Sequence, residues 1–563
     1  MMKRCILLLF VVSVVACNSN TKRKRITGLV TDSAMVVSAH PLASKVGVEI
    51  MRKGGNAVDA AIAVQFALAV VYPSAGNIGG GGFMVLRKND GTVASLDYRE
   101  KAPAASAHTM YLDSAGNVID SLSQDGHLSC GVPGSVAGMV EAHAKYGKLP
   151  WKELVQPAVA LALDGFVLTQ REANGLNYLH DFLVKKNTIQ PEFLLRDSWT
   201  AGDTVRWTDL GHTLERIRDT GRAGFYEGKT ADDIVAEMKR GNGLISYEDL
   251  KNYKAIWREP IIGKYKEYKI ISMAPPSSGG VALLQLLRSV ENYPIESWGW
   301  NTAQTVHLIA EAERRAYADR SVYLGDPDFV NVPVKELTSA LYTDERMKSF
   351  DPEKATPSKA IKEGMLALHE SPQTTHLSVI DAQGNAVAVT TTLNDSYGSK
   401  VIVAGSGFLL NDEMDDFSAK PGYPNMYGVI GGEANKIQPN KRMLSSMTPT
   451  IIEKDGRLYM VVGTPGGSKI ITSVFQTILN VLDHKMTMQE AVTAKRFHHQ
   501  WLPDTIFNEF HAFSIEDSLK LVKMGHAFSP IRSFCRVDAI LVRGDSTLEG
   551  GADPRGDDTA AGF

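Results

Sequence analysis

Cysteine is scarce in this chain, and so is any excess of charge. Only 4 of the 563 residues are cysteines, and two of them lie within the first 17 positions. That number excludes a disulfide scaffold, and we expect Cys130 and Cys535 to be buried thiols, although one disulfide between them is possible. The net charge of −3, with no large basic block, gives nucleic-acid binding no electrostatic support.

No apolar run is well suited to crossing a membrane. The first run, residues 5–16, is shorter than the roughly 20 residues that span a bilayer, and it follows Lys3 and Arg4. This pattern predicts a signal peptide over residues 1–16. The segment 57–72 is also apolar, but it contains Asp59 and Gln65, so we expect a core helix there.

The end of the predicted signal resembles that of a bacterial lipoprotein. Ala16 is followed by Cys17 and then by the polar residues 18–20. In such signals the cysteine after the small residue is lipidated and becomes the new N-terminus. We therefore expect a lipid anchor on Cys17 and a place in the bacterial cell envelope, periplasmic or on the surface. Ordinary secretion with cleavage near Ala16 is the alternative.

Several sequence motifs that are typical of known enzyme classes are missing. The chain has no Gly-x-Ser-x-Gly, no Cys-x-x-Cys and no His-Glu-x-x-His. The glycine-rich segments 79–82 and 463–469 lack the spacing of a phosphate-binding loop, and the neighbouring His498 and His499 project in different directions. We therefore expect no metal and no organic cofactor.

Helical and strand-like segments alternate through most of the chain. Four pairs of strand-like segments flank Gly, Asn or Asp turns, which is typical of β-hairpins. These pairs are 82–86 with 92–97, 376–380 with 386–393, 450–453 with 458–462, and 538–542 with 546–550. Helices are predicted over 43–53, 57–70, 135–146, 151–163, 230–238, 280–291 and 303–319. Together they favour an α+β fold or a layered sandwich.

Small polar residues cluster in the C-terminal third of the chain. They are Thr374–Thr375, Thr390–Thr392, Asn394, Asp415–Asp416, Ser445–Ser446 and Gly466–Gly467. A hydroxyl nucleophile normally needs a nearby base, and no histidine partner is evident for these hydroxyls. A threonine can use its own α-amine as the base if the chain is cut immediately before it.

The segment 372–379, Pro-Gln-Thr-Thr-His-Leu-Ser-Val, resembles the processing site of the γ-glutamyltransferases (γ-glutamyltranspeptidases). These are N-terminal-nucleophile hydrolases. Further matches follow in family order over about residues 27–563. They lie at 54–61, 77–83, 97–100, 131–138, 276–280, 317–320, 414–418, 444–447, 463–468 and 553–555. Each match is short, but the ordered set is specific.

The resemblance implies an αββα sandwich that forms one domain from two chains. Self-cleavage between Gln373 and Thr374 would separate a large subunit, 17–373, from a small subunit, 374–563, and the two would stay together as a heterodimer. The length alone suggests two to four domains, or one unusually large one.

The resemblance also implies the catalytic residues. Thr374 would be the nucleophile, with its α-amine as the base, since that amine has a reference pKa near about 8. Thr392 would hydrogen-bond the Thr374 hydroxyl and position it. The backbone N–H groups of Gly466 and Gly467 would form the oxyanion hole.

A γ-glutamyl donor carries one cation and one anion, and the resemblance supplies groups for both. Arg99, Ser445 and Ser446 would bind the α-carboxylate. Asn394, Glu413 and Asp416 would hold the α-ammonium. Residues 421–435 resemble a substrate-covering loop with Tyr427 at its tip, which favours small donors. The chain departs from the family near 534–538, where a glycine-rich pattern is common.

The implied reaction is γ-glutamyl transfer from small donors, with glutathione as the expected natural donor. Water, an amino acid or a dipeptide would take the acyl group. One alternative is a glutaryl-type amidase, as in the cephalosporin acylases, which would not need Asn394 and Asp416. Another is an uncleaved surface lipoprotein that binds γ-glutamyl peptides without turnover. Generic peptidase activity has no recognisable signature here.

Overall fold

The computed structural model describes residues 25–361, 374–426, 428 and 431–563. The predicted signal peptide, the lipidation site Cys17, the residue before the cleavage site, Gln373, and the predicted loop tip Tyr427 lie outside the described residues.

The strands of the described chain are numbered in chain order. They are β1 (Leu29–Thr31), β2 (Met35–Ser38), β3 (Gly81–Arg87), β4 (Val93–Tyr98), β5 (Phe166–Val167), β6 (Thr204–Val205), β7 (Ile256–Arg258), β8 (Ile261–Tyr265), β9 (Tyr268–Ser272), β10 (Thr375–Ile380), β11 (Ala386–Thr392), β12 (Thr450–Lys454), β13 (Arg457–Gly463), β14 (Phe497–His498), β15 (Ile506–Glu509), β16 (Phe528–Ile531), β17 (Asp538–Val542), β18 (Leu548–Gly551) and β19 (Thr559–Gly562).

The α-helices are numbered in the same way. They are α1 (Pro41–Arg52), α2 (Ala57–Val71), α3 (Ser121–Gln124), α4 (Ser135–Tyr146), α5 (Trp151–Asp164), α6 (Gln170–Lys186), α7 (Thr208–Thr220), α8 (Ala223–Tyr226), α9 (Gly228–Gly241), α10 (Tyr247–Asn252), α11 (Gly279–Glu291), α12 (Ile295–Trp298), α13 (Ala303–Tyr323), α14 (Val334–Leu337), α15 (Ala340–Met347), α16 (Lys469–Leu482), α17 (Met488–Thr493) and α18 (Ile515–Met524).

Two seven-stranded sheets form the centre of the described molecule. One has the order β1-β18-β17-β13-β12-β9-β8 and the other the order β19-β2-β10-β11-β3-β4-β7. The four predicted hairpins are confirmed, because β3–β4, β10–β11, β12–β13 and β17–β18 each pair antiparallel. The seven predicted helices are also present, with ends shifted by a few residues.

Alternation along the strands separates the layers. Strand β2 shows this separation. Met35 and Val37 belong to the core between the two sheets, whereas Val36 belongs to the core that this sheet forms with α1 and α2. In β3, Phe83 and Met84 divide in the same way. Side chains of a strand point alternately to its two faces. The sheet that contains β2 and β3 therefore packs against the other sheet on one face and against helices on the other. The predicted αββα arrangement is confirmed.

The segment 57–71 is a core helix, as its polar residues predicted. Every residue of α2 is buried, including Asp59 and Gln65. Asn56 and Asp59 form a capping box at its start, which satisfies two backbone donors that the first turn would otherwise leave unpaired. Among the described residues, no helix is both long and apolar enough to cross a membrane. Cys130 and Cys535 are buried thiols and not a disulfide pair.

Candidate active site

The predicted nucleophile Thr374 immediately precedes β10 and is 4% exposed. At this end of the β10–β11 ladder, Thr375 pairs with Thr391. Continuing the register by one residue brings Thr374 opposite Thr392, and their Oγ1 atoms lie 3.5 Å apart. The hairpin therefore places the predicted positioning hydroxyl beside the predicted nucleophile.

The end of β11 is held in place by Asn77, whose side chain is buried. Its Nδ2 donates to the carbonyl of Thr392 at 2.8 Å and to Oγ1 of Thr391 at 3.2 Å. Its Oδ1 accepts from the backbone of Gly80 at 3.1 Å and from Ser135 Oγ at 2.6 Å. This side chain thereby connects the loop before β3 and the start of α4 to the strand that carries Thr392.

Arg99 follows β4 directly and is fully buried. Its guanidinium donates to the carboxylates of Glu413 and Asp416, which lie at the two ends of one short 3₁₀ turn. Its Nε donates to the carbonyl of Met443 at 3.3 Å. The residue predicted to bind the donor carboxylate and two residues predicted to bind the donor ammonium thus form one ion-pair network.

Burial controls the electrostatics of this network. It raises the pKa of Glu413 well above the usual range, and the positive charge of Arg99 offsets part of that effect. The pKa of Asp416 is raised by burial in the same way. Burial raises the pKa of Glu100, the neighbour of Arg99 in sequence, to about 7. For Arg99, burial alone would lower the pKa, but the surrounding carboxylates raise it.

Ser445 and Ser446 lie at the same cavity, beside a second arginine. Arg320 of α13 donates through Nη2 to Ser446 Oγ at 2.9 Å and through Nε to Ser278 Oγ at 2.8 Å. The backbone N–H of Ser278 donates to the carbonyl of Ser445 at 2.7 Å. Arg320 therefore adds a cation next to the two serines.

The predicted oxyanion glycines form the turn before α16. Gly467 has φ 57° and Gly466 has φ 135°, both in the region that favours glycine. A Cβ on Gly466 would lie 2.2 Å from Cys535 Sγ, so no side chain fits there. The segment that departs from the family pattern therefore packs against this turn, and Arg536 N donates to Thr464 Oγ1 at 3.0 Å.

Asn394 and the predicted covering loop complete the surroundings. The backbone N–H of Asn394 donates to Thr392 Oγ1 at 2.7 Å, and its side chain donates to the carbonyl of Asp412 at 3.1 Å. In the loop, Asn425 Nδ2 donates to Asp416 Oδ1 at 3.1 Å and Met426 N donates to Asp415 Oδ2 at 2.8 Å. The acidic pair therefore holds the described part of the loop over the site.

These residues line one narrow cavity. The predicted residues at its wall are Arg99, Thr374, Thr392, Asn394, Glu413, Asp416, Ser445, Ser446 and Gly467. The free space is about 30 Å³, which is room for a water or two. Gly466 instead lines a second, wider cavity, and Thr374 lines both. The structure thus gathers the predicted residues within its described part around Thr374.

Sequence reasoning missed three residues of the site. Arg320 was recognised only as part of a short motif, and Asn425 and Asn77 had no assigned role. Arg320 lies on α13, whose charged residues from Glu311 to Arg320 are all buried. An unusual density of charge in one helix was the available signal, but burial of that charge is a tertiary property. Within the described residues, no cluster of three or more His, Cys, Asp or Glu side chains is placed to hold a metal ion.

Comparison with known proteins gives a consistent picture. A family model described as Gamma-glutamyltranspeptidase matches residues 43–563. The glutathione hydrolase proenzyme of Escherichia coli (strain K12) is 47% identical over 533 residues, covering 94% of this chain and 92% of the relative. The cephalosporin acylase structure from Bacillus halodurans superimposes with a TM-score of 0.84 at 26% identity, covering 97% of this chain and 98% of that one. The Helicobacter pylori gamma-glutamyltranspeptidase structure has a TM-score of 0.57 at 44% identity, covering 62% of this chain and 98% of that one.

Proposed function

This chain belongs to the gamma-glutamyltranspeptidase family, and from that we propose that it is a glutathione hydrolase and γ-glutamyltransferase. It cleaves the γ-glutamyl amide bond of glutathione and related small donors. The acyl group passes through an ester on Thr374 to water, an amino acid or a dipeptide. The enzyme is made as a proenzyme that cuts itself into two associated subunits.

One observation carries the proposal to this particular donor class. Among the described residues, the charged groups at the narrow cavity are two cations, Arg99 and Arg320, and two anions, Glu413 and Asp416. A γ-glutamyl group ends in one ammonium and one carboxylate, so its charges can be balanced in such a cavity without a buried surplus. An uncharged acyl chain would leave the acids with no role in binding.

Donor binding requires the ion pairs of the free enzyme to rearrange, because the guanidinium of Arg99 already occupies the two acids that would hold the donor ammonium. We propose that the donor ammonium takes the place of Arg99 beside Glu413 and Asp416. The guanidinium then turns to the donor carboxylate, which Ser445 and Ser446 also bind. Each charge keeps an opposite partner throughout, which limits the desolvation cost of binding.

In the chemical step the Thr374 hydroxyl attacks the γ-carbonyl and its proton passes to the α-amine freed by maturation. Thr392 orients the hydroxyl from 3.5 Å away. The N–H groups of Gly466 and Gly467 stabilise the negative oxygen that develops; losing one such donor costs about 10²–10³ in rate. The α-amine then returns the proton to the leaving amine, and the acceptor reverses these steps.

The test is to measure intact masses under denaturing conditions for the wild type and Thr374→Ala, together with glutamate release from glutathione. We expect two fragments divided at Gln373/Thr374 in the wild type. The variant should give one chain with donor turnover reduced by about 10³-fold or more, because it lacks the nucleophile. Full donor turnover by Thr374→Ala would overturn the assignment, and a wild type that binds donor without turnover would favour the surface-binding alternative.

The acylase alternative is supported by the similarity to the structure of the Bacillus halodurans cephalosporin acylase. The same assay separates the two functions when matched γ-glutamyl and glutaryl anilides are compared. They differ only by the α-ammonium. A preference for the glutaryl compound would favour the acylase, whereas the acids at the cavity predict a preference for the γ-glutamyl compound.

We further propose that the chain is exported to the cell envelope and held by a lipid on Cys17. The support is the basic start, the short apolar run and the small residue before the cysteine. The mass of the large fragment from cells expressing the whole chain tests this. A fragment that begins at Cys17 and carries lipid mass agrees with the proposal, and an unmodified fragment indicates ordinary secretion.

A further inference from the structure

Thr374 separates two cavities of very different size. The narrow cavity has about 30 Å³ of free space, and the wider one, which we call the α6 groove, has about 680 Å³. Thr374 and Gly466 line the α6 groove together with Arg171, Tyr178 and Phe182 of α6. Because Thr374 lines both cavities, the groove is a second approach to this residue, separate from the narrow cavity.

Two aromatic side chains stand exposed on the groove side of α6. Tyr178 is 78% exposed and Phe182 is 52% exposed. They are four residues apart and therefore lie on the same face of the helix, one turn from each other. Leu176, Leu179 and Leu183 are buried, and Leu176 and Leu179 form part of the apolar wall of the groove beside the two aromatic side chains. Large exposed aromatic groups beside an active centre are typical of a binding surface.

The charges around the groove are balanced. Among its described lining residues there are four cations and four anions. They are Arg171, Lys400, Arg536, Arg555, Asp125, Glu172, Asp395 and Asp557. The three other cations are largely buried and paired, Lys400 with Asp395, Arg536 with Asp558 and Arg555 with Glu509. Arg171 is 55% exposed instead, and its Nε lies 3.5 Å from Asp557 Oδ1. This guanidinium is therefore accessible to a carboxylate that arrives from solvent.

We infer that the α6 groove binds the acceptor and that Tyr178 and Phe182 make the enzyme prefer amino acids or dipeptides with an aromatic side chain. This inference rests on the proposed transferase function. The acceptor's neutral amine forms the new C–N bond at the ester carbonyl, the C–Oγ1 bond to Thr374 breaks, and the amine proton passes to the threonine oxygen. The acceptor's aromatic ring packs on the α6 pair, and its carboxylate faces Arg171.

A competition experiment tests the inference. The matured enzyme receives one γ-glutamyl donor and an equimolar mixture of a phenylalanine dipeptide and its alanine counterpart, and the two γ-glutamyl products are counted by mass. Both acceptors draw on the same ester, so their ratio does not depend on the fraction of folded enzyme. We expect the wild type to favour the aromatic acceptor and Tyr178→Ala/Phe182→Ala to reduce that preference about fivefold, because the ring loses its stacking partners.

Two control variants sharpen the result. Tyr178→Phe keeps a ring and should keep the wild-type ratio. Leu341→Ala removes an equally exposed apolar side chain, 83% exposed on α15, and should also keep it. An unchanged ratio in the double alanine variant would overturn the inference while leaving the transferase function intact. A wild type that makes neither product nor free glutamate would instead overturn the proposed function itself.

Discussion

The two cavities that meet at Thr374 hold their charges in different ways. In the narrow cavity, Arg99 is fully buried and paired with the buried Glu413 and the partly buried Asp416, and about 30 Å³ is free. In the α6 groove, about 680 Å³ is free and Arg171 is largely exposed to solvent. An ion pair in a low-dielectric site is strong and geometrically strict, whereas an exposed one is weakened by water and salt. On the proposed function, this difference predicts strict selection of the donor and a graded preference among acceptors.

The largest effect is expected from Arg99→Gln, which breaks the narrow cavity's network. Glu413 and Asp416 would lose the cation that donates to both of them, so the buried Glu413 would lose its ion-pair partner. We expect kcat/KM for the donor to fall about 10²–10³-fold and the free energy of unfolding to fall by about 3–5 kcal/mol. Steady-state rates and chemical denaturation measure the two quantities.

Arg99→Lys is the matched control, because it keeps the charge but loses the two-pronged geometry; an intermediate defect is expected. Intact masses show whether each variant has matured and hence folded. A matured Arg99→Gln enzyme with wild-type kinetics would contradict the prediction that the buried ion pairs of the narrow cavity select the donor strictly.

A smaller effect concerns the wall that covers the narrow cavity. Asp415 accepts from Ser123 Oγ at 2.6 Å and from Met426 N at 2.8 Å, and burial raises its pKa to about 7. The ordinary aspartate pKa is about 4, so its folded-state pKa is raised. The stability it contributes is fully present below about pH 4 and is lost as pH rises through about 7. Asp415→Asn cannot titrate, so its stability deficit relative to the wild type should shrink as pH rises from about 4 to about 7 and change little above that.

Thermal denaturation of both proteins across that range checks this dependence. The exposed Asp181→Asn serves as the comparison, since Asp181 lies on the outer surface of α6 with its side chain 101% exposed. The midpoint temperature of Asp181→Asn should equal that of the wild type at every pH. A deficit of Asp415→Asn that stays constant from pH 5 to pH 8 would contradict a buried, titrating Asp415.

The smallest effect is expected from Arg171→Gln in the α6 groove. Because this guanidinium is exposed, its contribution to acceptor binding is limited by solvent screening to about fivefold or less. The variant should lose part of any preference for a dipeptide over its C-terminal amide, measured by the same product competition. A loss as large as that of Arg99→Gln would show that exposure does not set the difference between the two cavities.

Much of the site was predictable from sequence because its chemistry lies in contiguous motifs. The Thr374 segment, the Asp415–Asp416 pair, the serine pair and the glycine pair each carry their signal locally. The turn at 383–385 also predicted that Thr374 and Thr392 lie at the same end of a hairpin, since turn residues act over a few positions, and the structure supplied the register that brings them opposite each other. Arg320 and Asn77 were not predicted, because each acts on a residue that is more than 100 positions away.

The sequence by itself determined the family, the hairpins and the core helix α2, because the order of the motifs, the turn residues and the apolar patterning are all carried by the chain itself. Only the tertiary structure decided that Arg99 pairs with Glu413 and Asp416, that Arg320 stands beside Ser446, and that two unequal cavities meet at Thr374. The physical reason is that the pKa of a carboxyl group, the strength of an ion pair and the shape of a cavity depend on burial. Burial arises when distant segments pack together, so it cannot be read from any single segment of the sequence.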